Sequence, residues 1–307
     1  MSRRRNRKGR NISGVIVLDK NTGISSNDAV QRAKRMFKAQ KVGHTGSLDP
    51  LARGVLPLCF GEATKFSQFL LHSDKTYQVV IRLGQTTDSG DSDGVPLETH
   101  SVEGLTLALI ESALDAYRGT IEQVPSMFSA IKHKGQPLYK LARQGIVVER
   151  KARTLTIFSN ELIAFEGDRL ELKIHCTKGT YIRTIAEDLG ADLGCGAHVV
   201  GLRRLQAGPY TEADCVDFET LEKVLEADGL EGLDKLLQPV SSAVREWPQV
   251  CLTESTAFYV RQGQPVLVPN APTEGWVQLM TEDPDFIGVG EVLDDGRIAP
   301  RRLLAAR

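Results

Sequence analysis

The chain has 307 residues, of which 41% are hydrophobic, 25% charged and 6% aromatic, a composition that excludes a largely disordered or fibrous protein and allows a sizeable core. No stretch approaches the roughly 18 consecutive apolar residues of a membrane span, and six basic residues in the first ten with no apolar run behind them do not make a secretory signal, so a cytoplasmic protein is expected. Five scattered cysteines, none at C-x-x-C spacing, argue against disulfides and structural zinc, and the formal net charge of -1 averages over segments of opposite sign.

Residues 1–10 carry six Lys/Arg and no acid, a basic N-terminal arm. GVIVLDK (14–20) reads as an apolar strand. Ser25, Ser26 and Asn27 are candidate caps for a helix over DAVQRAKRMF, with Val30, Ala33 and Phe37 as its apolar stripe. The stretch 42–66, broken by Gly and Pro, predicts a long shaped loop running into a buried segment at Val55–Phe60. Alternation from Tyr77 to Leu83 predicts a strand with Tyr77, Val79, Ile81 and Leu83 on one face. Asp88–Gly94 is rich in oxygen ligands, but a calcium loop framed on Gly94 needs Glu at position 100, where this chain has His100, so a solvated turn is expected.

Residues 132–153 hold seven Lys/Arg against Glu149 alone, together with His133 and Tyr139, a mixture suited to a mobile element laid along a nucleic-acid backbone. Leu170, Leu172, Ile174 and Cys176 alternate with Glu171, Lys173 and His175, the pattern of a half-buried sheet strand. After a Lys178-Gly179 turn, Thr180 is a candidate cap; Ile182, Ile185, Ala186 and Leu189 then stripe a short amphipathic helix, with Gly190 as its C-cap. Residues 211–235 hold nine acids and two lysines. Beyond Trp247-Pro248 the chain predicts one helical stretch at 255–262 and short strands in WVQLM, FIGVGEVL and RIAP, a small β-rich module.

Nucleotide-binding signatures fail. Gly43-His44-Thr45-Gly46-Ser47 lacks the Lys-Ser/Thr ending of a phosphate loop, and Gly194-Cys195-Gly196 lacks the third glycine of the dinucleotide fingerprint.

VGHTGSLDPLARGVLPLCFGEATK (42–65), with LDK at 18–20, KTY at 75–77, HCTKGTYIRTIAEDLG at 175–190 and HVVGLRRL at 198–205, resembles the bacterial tRNA pseudouridine(55) synthases, the TruB family. The likeness runs through nearly the whole chain, with the blocks in the family's order and spacing. Asn21 departs from the proline that usually follows LDK.

The resemblance implies an α+β pseudouridine synthase fold with a mixed, largely antiparallel central sheet and a small β-rich PUA-like C-terminal domain. The expected division is a basic arm at 1–10, a catalytic domain at 11–248 with an RNA-gripping insert at about 124–153, and the PUA-like RNA-binding domain at 249–307. The implied reaction converts uridine to pseudouridine at position 55 in the T-loop of tRNA. It uses no metal, redox cofactor or ATP. A monomer acting on the tRNA T-arm is expected, with affinity that falls steeply with salt. The alternatives are a synthase acting on another RNA and a tRNA-folding chaperone with secondary catalysis.

By resemblance Asp49 is the catalytic carboxylate, attacking sugar C1′ or uracil C6, and Arg183 is its ionic partner. Tyr77 stacks on the target uracil and is a candidate base for the C5 proton. Tyr181 and Leu202 line the uracil pocket, Lys20 lies beside it, and His44 takes the space vacated when the base is flipped out.

Overall fold

The computed structural model describes residues 9–283 and 285–305; most of the basic arm, residues 1–8, lies outside them. The chain runs β1 (Gly14–Lys20), α1 (Ser26–Met36), β2 (Val42–His44), β3 (Arg53–Phe60), α2 (Ser67–His72), β4 (Lys75–Leu83), β5 (Gln85–Thr87), β6 (Pro96–Thr99), α3 (Leu107–Leu114) and β7 (Gly119–Gln123). The basic insert holds β8 (Lys132–His133), β9 (Gln136–Pro137) and α4 (Leu138–Ala142). Then come β10 (Arg153–Glu166), β11 (Arg169–Cys176), α5 (Ile182–Asp192), β12 (Ala197–Ala207), β13 (Tyr210–Thr211) and α6 (Phe218–Lys235). The tail contains β14 (Gln249–Leu252), α7 (Glu254–Arg261), β15 (Trp276–Thr281), β16 (Phe286–Val292) and β17 (Ile298–Leu303).

A nine-stranded sheet in the order β1-β3-β12-β4-β11-β10-β7, with β2 on β3 and β13 on β12, forms the backbone of the larger part. Its one parallel pair is β3 with β12; every other pairing is antiparallel. The expected mixed, largely antiparallel sheet is therefore present. Alternation fixes which side of each strand is dry. Val79, Ile81 and Leu83 of β4 and Leu170, Leu172 and Ile174 of β11 pack against Ile185 and Leu189 of α5, each contributing about 1.5–3 kcal/mol by leaving water. A second cluster joins Leu18 of β1 and Leu56 and Leu58 of β3 to Val30 and Ala33 of α1.

The α1 start is a reciprocal cap: Ser25 Oγ accepts from the Asp28 amide and the Ser25 amide donates to Asp28 Oδ2, both at 3.1 Å. The stretch 42–66 is less loop than its glycines suggest, because β2, β3 and a 3-10 turn at Gly61–Lys65 claim most of it, and the irregular part lies chiefly at residues 45–52. Two helix-end expectations also change. Tyr181, not Thr180, is the N-cap of α5, and the Thr180 hydroxyl donates instead to the Thr177 carbonyl. Gly190 lies inside the helix, where a Cβ would collide with the Ala197 main-chain nitrogen, so it serves close packing of α5 on the chain entering β12; Gly194, at φ +72°, ends the turn beyond the helix.

The tail forms a four-stranded sheet in the order β14-β15-β16-β17, with β14 and β15 parallel. It is fastened to the larger part by aromatics: Phe66 lies 5.5 Å from Phe286, and Phe69 lies 5.0 Å from Trp276, between ring centroids. All five cysteines are free thiols. Among the described residues no helix is long and apolar enough to cross a membrane.

Candidate active site

The loop between β2 and β3 places Asp49 against the edge where β4, β12 and the start of α5 converge. A cavity of about 310 Å³ opens there, lined by Asp49, Tyr77, Tyr181, Arg183, Leu202 and Arg204 among others. The loop is held from outside by Ser26, whose hydroxyl accepts from the Leu48 amide at 2.7 Å. Tyr77 of β4 sits opposite Arg204 of β12 in register, two residues before Val79 meets Leu202, so the Tyr77, Leu202 and Arg204 side chains share one face of the sheet.

Arg183, in the first turn of α5, is the hub. Its Nη2 lies 3.0 Å from Asp49 Oδ2, and its Nε lies 3.5 Å from Asp91 Oδ2. The same guanidinium donates to the Ser89 and Phe128 carbonyls, each at 2.8 Å. With a side chain only 6% exposed, it is a sheltered cation between two carboxylates. An arginine fork suits this arrangement because its donors are fixed in a plane and engage several oxygens at once.

Asp49 keeps 41% of its side-chain surface open and lines the cavity. Protein crowded around the remainder pushes its carboxyl upward; Arg183 opposes that shift, Asp91 adds to it, and Arg183 hydrogen bonding and the Lys20 charge oppose it. Lys20 is fully buried, its ammonium donating 2.9 Å to the Asn21 carbonyl and 2.8 Å to the Ile24 carbonyl. Burial pulls it down to about 8.

The remaining residues singled out from the sequence fall into two groups. Tyr181 and Leu202 reach the cavity. The Tyr181 main chain is clamped by the buried Gln123 amide, which accepts from its N–H at 2.8 Å and donates to its carbonyl at 3.1 Å. His44 stands apart from the cavity wall at the end of β2, where its Nδ1 accepts from the Gly46 amide at 3.3 Å and burial lowers its basicity. Burial pushes the Tyr77 phenol upward, with Arg204 opposing.

The sequence reading missed Asp91 and Arg204. Asp88–Gly94 was expected to be a solvated turn, yet Ser89 and Asp91 are buried, because the loop folds inward onto α5 and is pinned by the Asp91 carboxylate accepting from Ser89 Oγ at 2.6 Å. Nothing local to that turn signals the guanidinium it meets. Arg204 is buried on β12, and its strand register alone would have paired it with Tyr77. Among the described residues no group of three or more His, Cys, Asp or Glu side chains is arranged to hold a metal ion.

Together the geometry gives a carboxylate held by one guanidinium in the wall of a cavity that an aromatic ring and an aliphatic side chain also line, beside the root of the basic insert.

Three family models tile the chain: TruB family pseudouridylate synthase (N terminal domain) over residues 34–182, tRNA pseudouridylate synthase B C-terminal domain over 183–245, and Pseudouridine synthase II TruB, C-terminal over 248–304. A tRNA pseudouridine synthase B of Coxiella burnetii is 54% identical over 298 residues, covering 97% of this chain and 96% of that protein. One from Yersinia pestis is 54% identical over 305 residues, covering 97% and 94%. Among solved structures, a chain of a Cbf5-Nop10-Gar1 complex superposes with a TM-score of 0.74 at 25% identity, over 94% of this chain and 84% of that one. A chain of an H/ACA RNP bound to a substrate RNA containing 2′-deoxyuridine shares the fold, with a TM-score of 0.73. Identity at that level across almost the full length of both chains leaves one assignment: this chain belongs to the TruB family of pseudouridine synthases.

Proposed function

We propose that the chain isomerises uridine to pseudouridine at position 55 in the T-loop of tRNA. The observation that carries the reading is the Asp49–Arg183 pair in the wall of a cavity that Tyr77 and Leu202 also line, in a chain 54% identical to proteins named tRNA pseudouridine synthase B.

The target nucleotide is flipped out of its stack, at a cost of a few kcal/mol, and its uracil enters between Tyr77 and Leu202. His44 fills the space that the base leaves. Asp49 acts as a carboxylate nucleophile at C1′ or at C6. In either route the N1–C1′ bond breaks, the uracil turns while Tyr181 and Leu202 hold it, C5 bonds to C1′ and the bond to Asp49 is released, the C5 proton passes to a base, for which Tyr77 as its phenolate is the candidate, and N1 takes up a proton. Atoms balance within the nucleotide, so the isomerisation consumes no redox cofactor, metal or ATP. Arg183 keeps Asp49 ionised against its crowded surroundings. The charge of the buried Lys20 ammonium adds to that field.

In this reading residues 11–248 are the catalytic domain and 249–307 a PUA-like domain. The arm at 1–10 and the insert at about 124–153 close on tRNA through Lys/Arg contacts to phosphates. The protein works as a cytoplasmic monomer on the T-arm.

The test is tritium release from an unmodified tRNA transcript labelled at uracil C5, without added metal or nucleotide, comparing wild type with Asp49→Asn. Release by wild type alone, with pseudouridine mapped to position 55, is expected. Tight tRNA binding without release from either protein would move the reading to another RNA substrate or to an RNA-folding role.

A further inference from the structure

Arg204 heads the fully buried side chains by volume, with 1% of its surface exposed. It stands on β12 between two partners in register, Gly54 of β3 and Tyr77 of β4. Its Nε donates to the Val55 carbonyl at 2.7 Å and its Nη2 to the Gly46 carbonyl at 3.3 Å. One guanidinium thus ties the first turn of the Asp49 loop to the strand into which that loop runs, while facing Tyr77 across the sheet.

The surroundings are shaped to admit it. Gly54 has φ +102°, and a Cβ there would collide with the Arg204 carbonyl, so only glycine lets β3 approach β12 this closely. Its two main-chain acceptors are carbonyls, which carry no charge, and no carboxylate pairs with it among the described residues. Burying a cation against neutral acceptors costs desolvation that an apolar side chain of similar size avoids, so filling space does not account for arginine at this position. What an apolar side chain cannot do is hold two carbonyls on two segments at a fixed separation.

We propose that Arg204 is a positioning residue for the isomerisation: its guanidinium sets the height of the Gly46–Asp49 turn relative to Tyr77, and thereby the placement of the carboxylate under the stacked base. The proposal rests on the reading of the cavity as the uridine site. Arg204 also lines that cavity beside Tyr77, but the part proposed for it is to place the Asp49 loop. Rate is sensitive to such placement, since a misplacement of about 1 Å costs about 10²-fold, whereas tRNA affinity comes from phosphate contacts spread over a wide surface.

The experiment uses full-length Arg204→Gln, Arg204→Lys and Arg204→Ala with saturating enzyme. It measures the single-turnover rate of tritium release, tRNA affinity and melting temperature. Arg204→Gln is expected to lose about 10²-fold in rate with its tRNA affinity within about twofold of wild type. Arg204→Lys should fall between the two, because an ammonium is a point donor and not a planar fork. Millimolar guanidinium should speed Arg204→Ala, whose cavity opens onto the site, without speeding wild type; a purely structural arginine gives no such rescue. A folded Arg204→Gln protein with the wild-type rate overturns the proposal, as does a loss of affinity in step with rate. If Arg204→Gln does not fold, a folded Arg204→Lys protein at full wild-type rate overturns it as well. Absence of release from wild type would instead sink the uridine-site reading.

Discussion

Arg183 Nη2 meets Asp49 at 3.0 Å and also donates to the Phe128 carbonyl, while its Nε reaches Asp91 and its Nη1 the Ser89 carbonyl. One side chain from α5 therefore joins the Asp49 loop, the turn after β5 and the root of the basic insert. Removing the Asp49 charge leaves this frame standing, so Asp49→Asn should bind tRNA with an affinity within about twofold of wild type while tritium release falls by more than about 10³-fold. Filter binding and release measured on the same preparation check both halves.

Arg183→Met should do two separable things. It leaves Asp91 buried without its cation, which costs on the order of 3–5 kcal/mol of stability. It also removes the group that opposes the upward shift of Asp49, so the acid limb of the rate–pH profile should move to higher pH. Denaturant melts report the first effect and single-turnover rates from acid to neutral pH the second. An unchanged acid limb would remove Arg183 from the ionisation of Asp49.

Glu187, on α5 beside the Gly90 turn, is lifted to about 7 by burial, which outweighs the favourable charge of Arg183. A carboxyl whose folded value exceeds its ordinary 4.5 keeps its proton in the native state after the unfolded chain has released it. Stability therefore falls as pH rises from about 4.5 to 7, and stays reduced above. Glu187→Gln should match wild type in unfolding free energy and melting temperature near the bottom of that window and exceed it at its top, by about 1–2 kcal/mol in free energy given that the side chain is only partly buried. Equal melting temperatures at both ends would show that Glu187 is not held protonated.

The insert carries Lys132, Lys134, Lys140 and Arg143. Each of these that meets a phosphate should add a little under one unit to the slope of log affinity against log salt. Replacing all four by alanine should flatten the slope accordingly and weaken binding about equally for different tRNA sequences. The rate at saturating enzyme should change less than the affinity. A slope unaffected by the four replacements would take the insert out of RNA binding.

Much of the frame was legible in local pattern. The period-2 runs at Tyr77–Leu83 and Leu170–Cys176 and the 3.6-period stripe of α5 depend only on neighbours a few residues away, so β4, β11 and α5 could be read with their dry faces. The glycine-punctuated stretch around Asp49 and the basic insert were also visible. Even there, local signals misjudged Gly190, whose role is close packing against Ala197.

What the sequence by itself determined, then, is the set of elements, their buried sides and, through family resemblance, the candidates Asp49, Tyr77 and Arg183. What only the tertiary structure decided is which charges and carbonyls meet. Arg183 reaches the Ser89 carbonyl across 94 positions and Arg204 the Gly46 carbonyl across 158. Neither meeting leaves a trace in local spacing. Such contacts follow from the register of β12 on β4 and β3 and from the packing of α5 on the sheet, and they require the whole sheet to close before any of the partners come within reach.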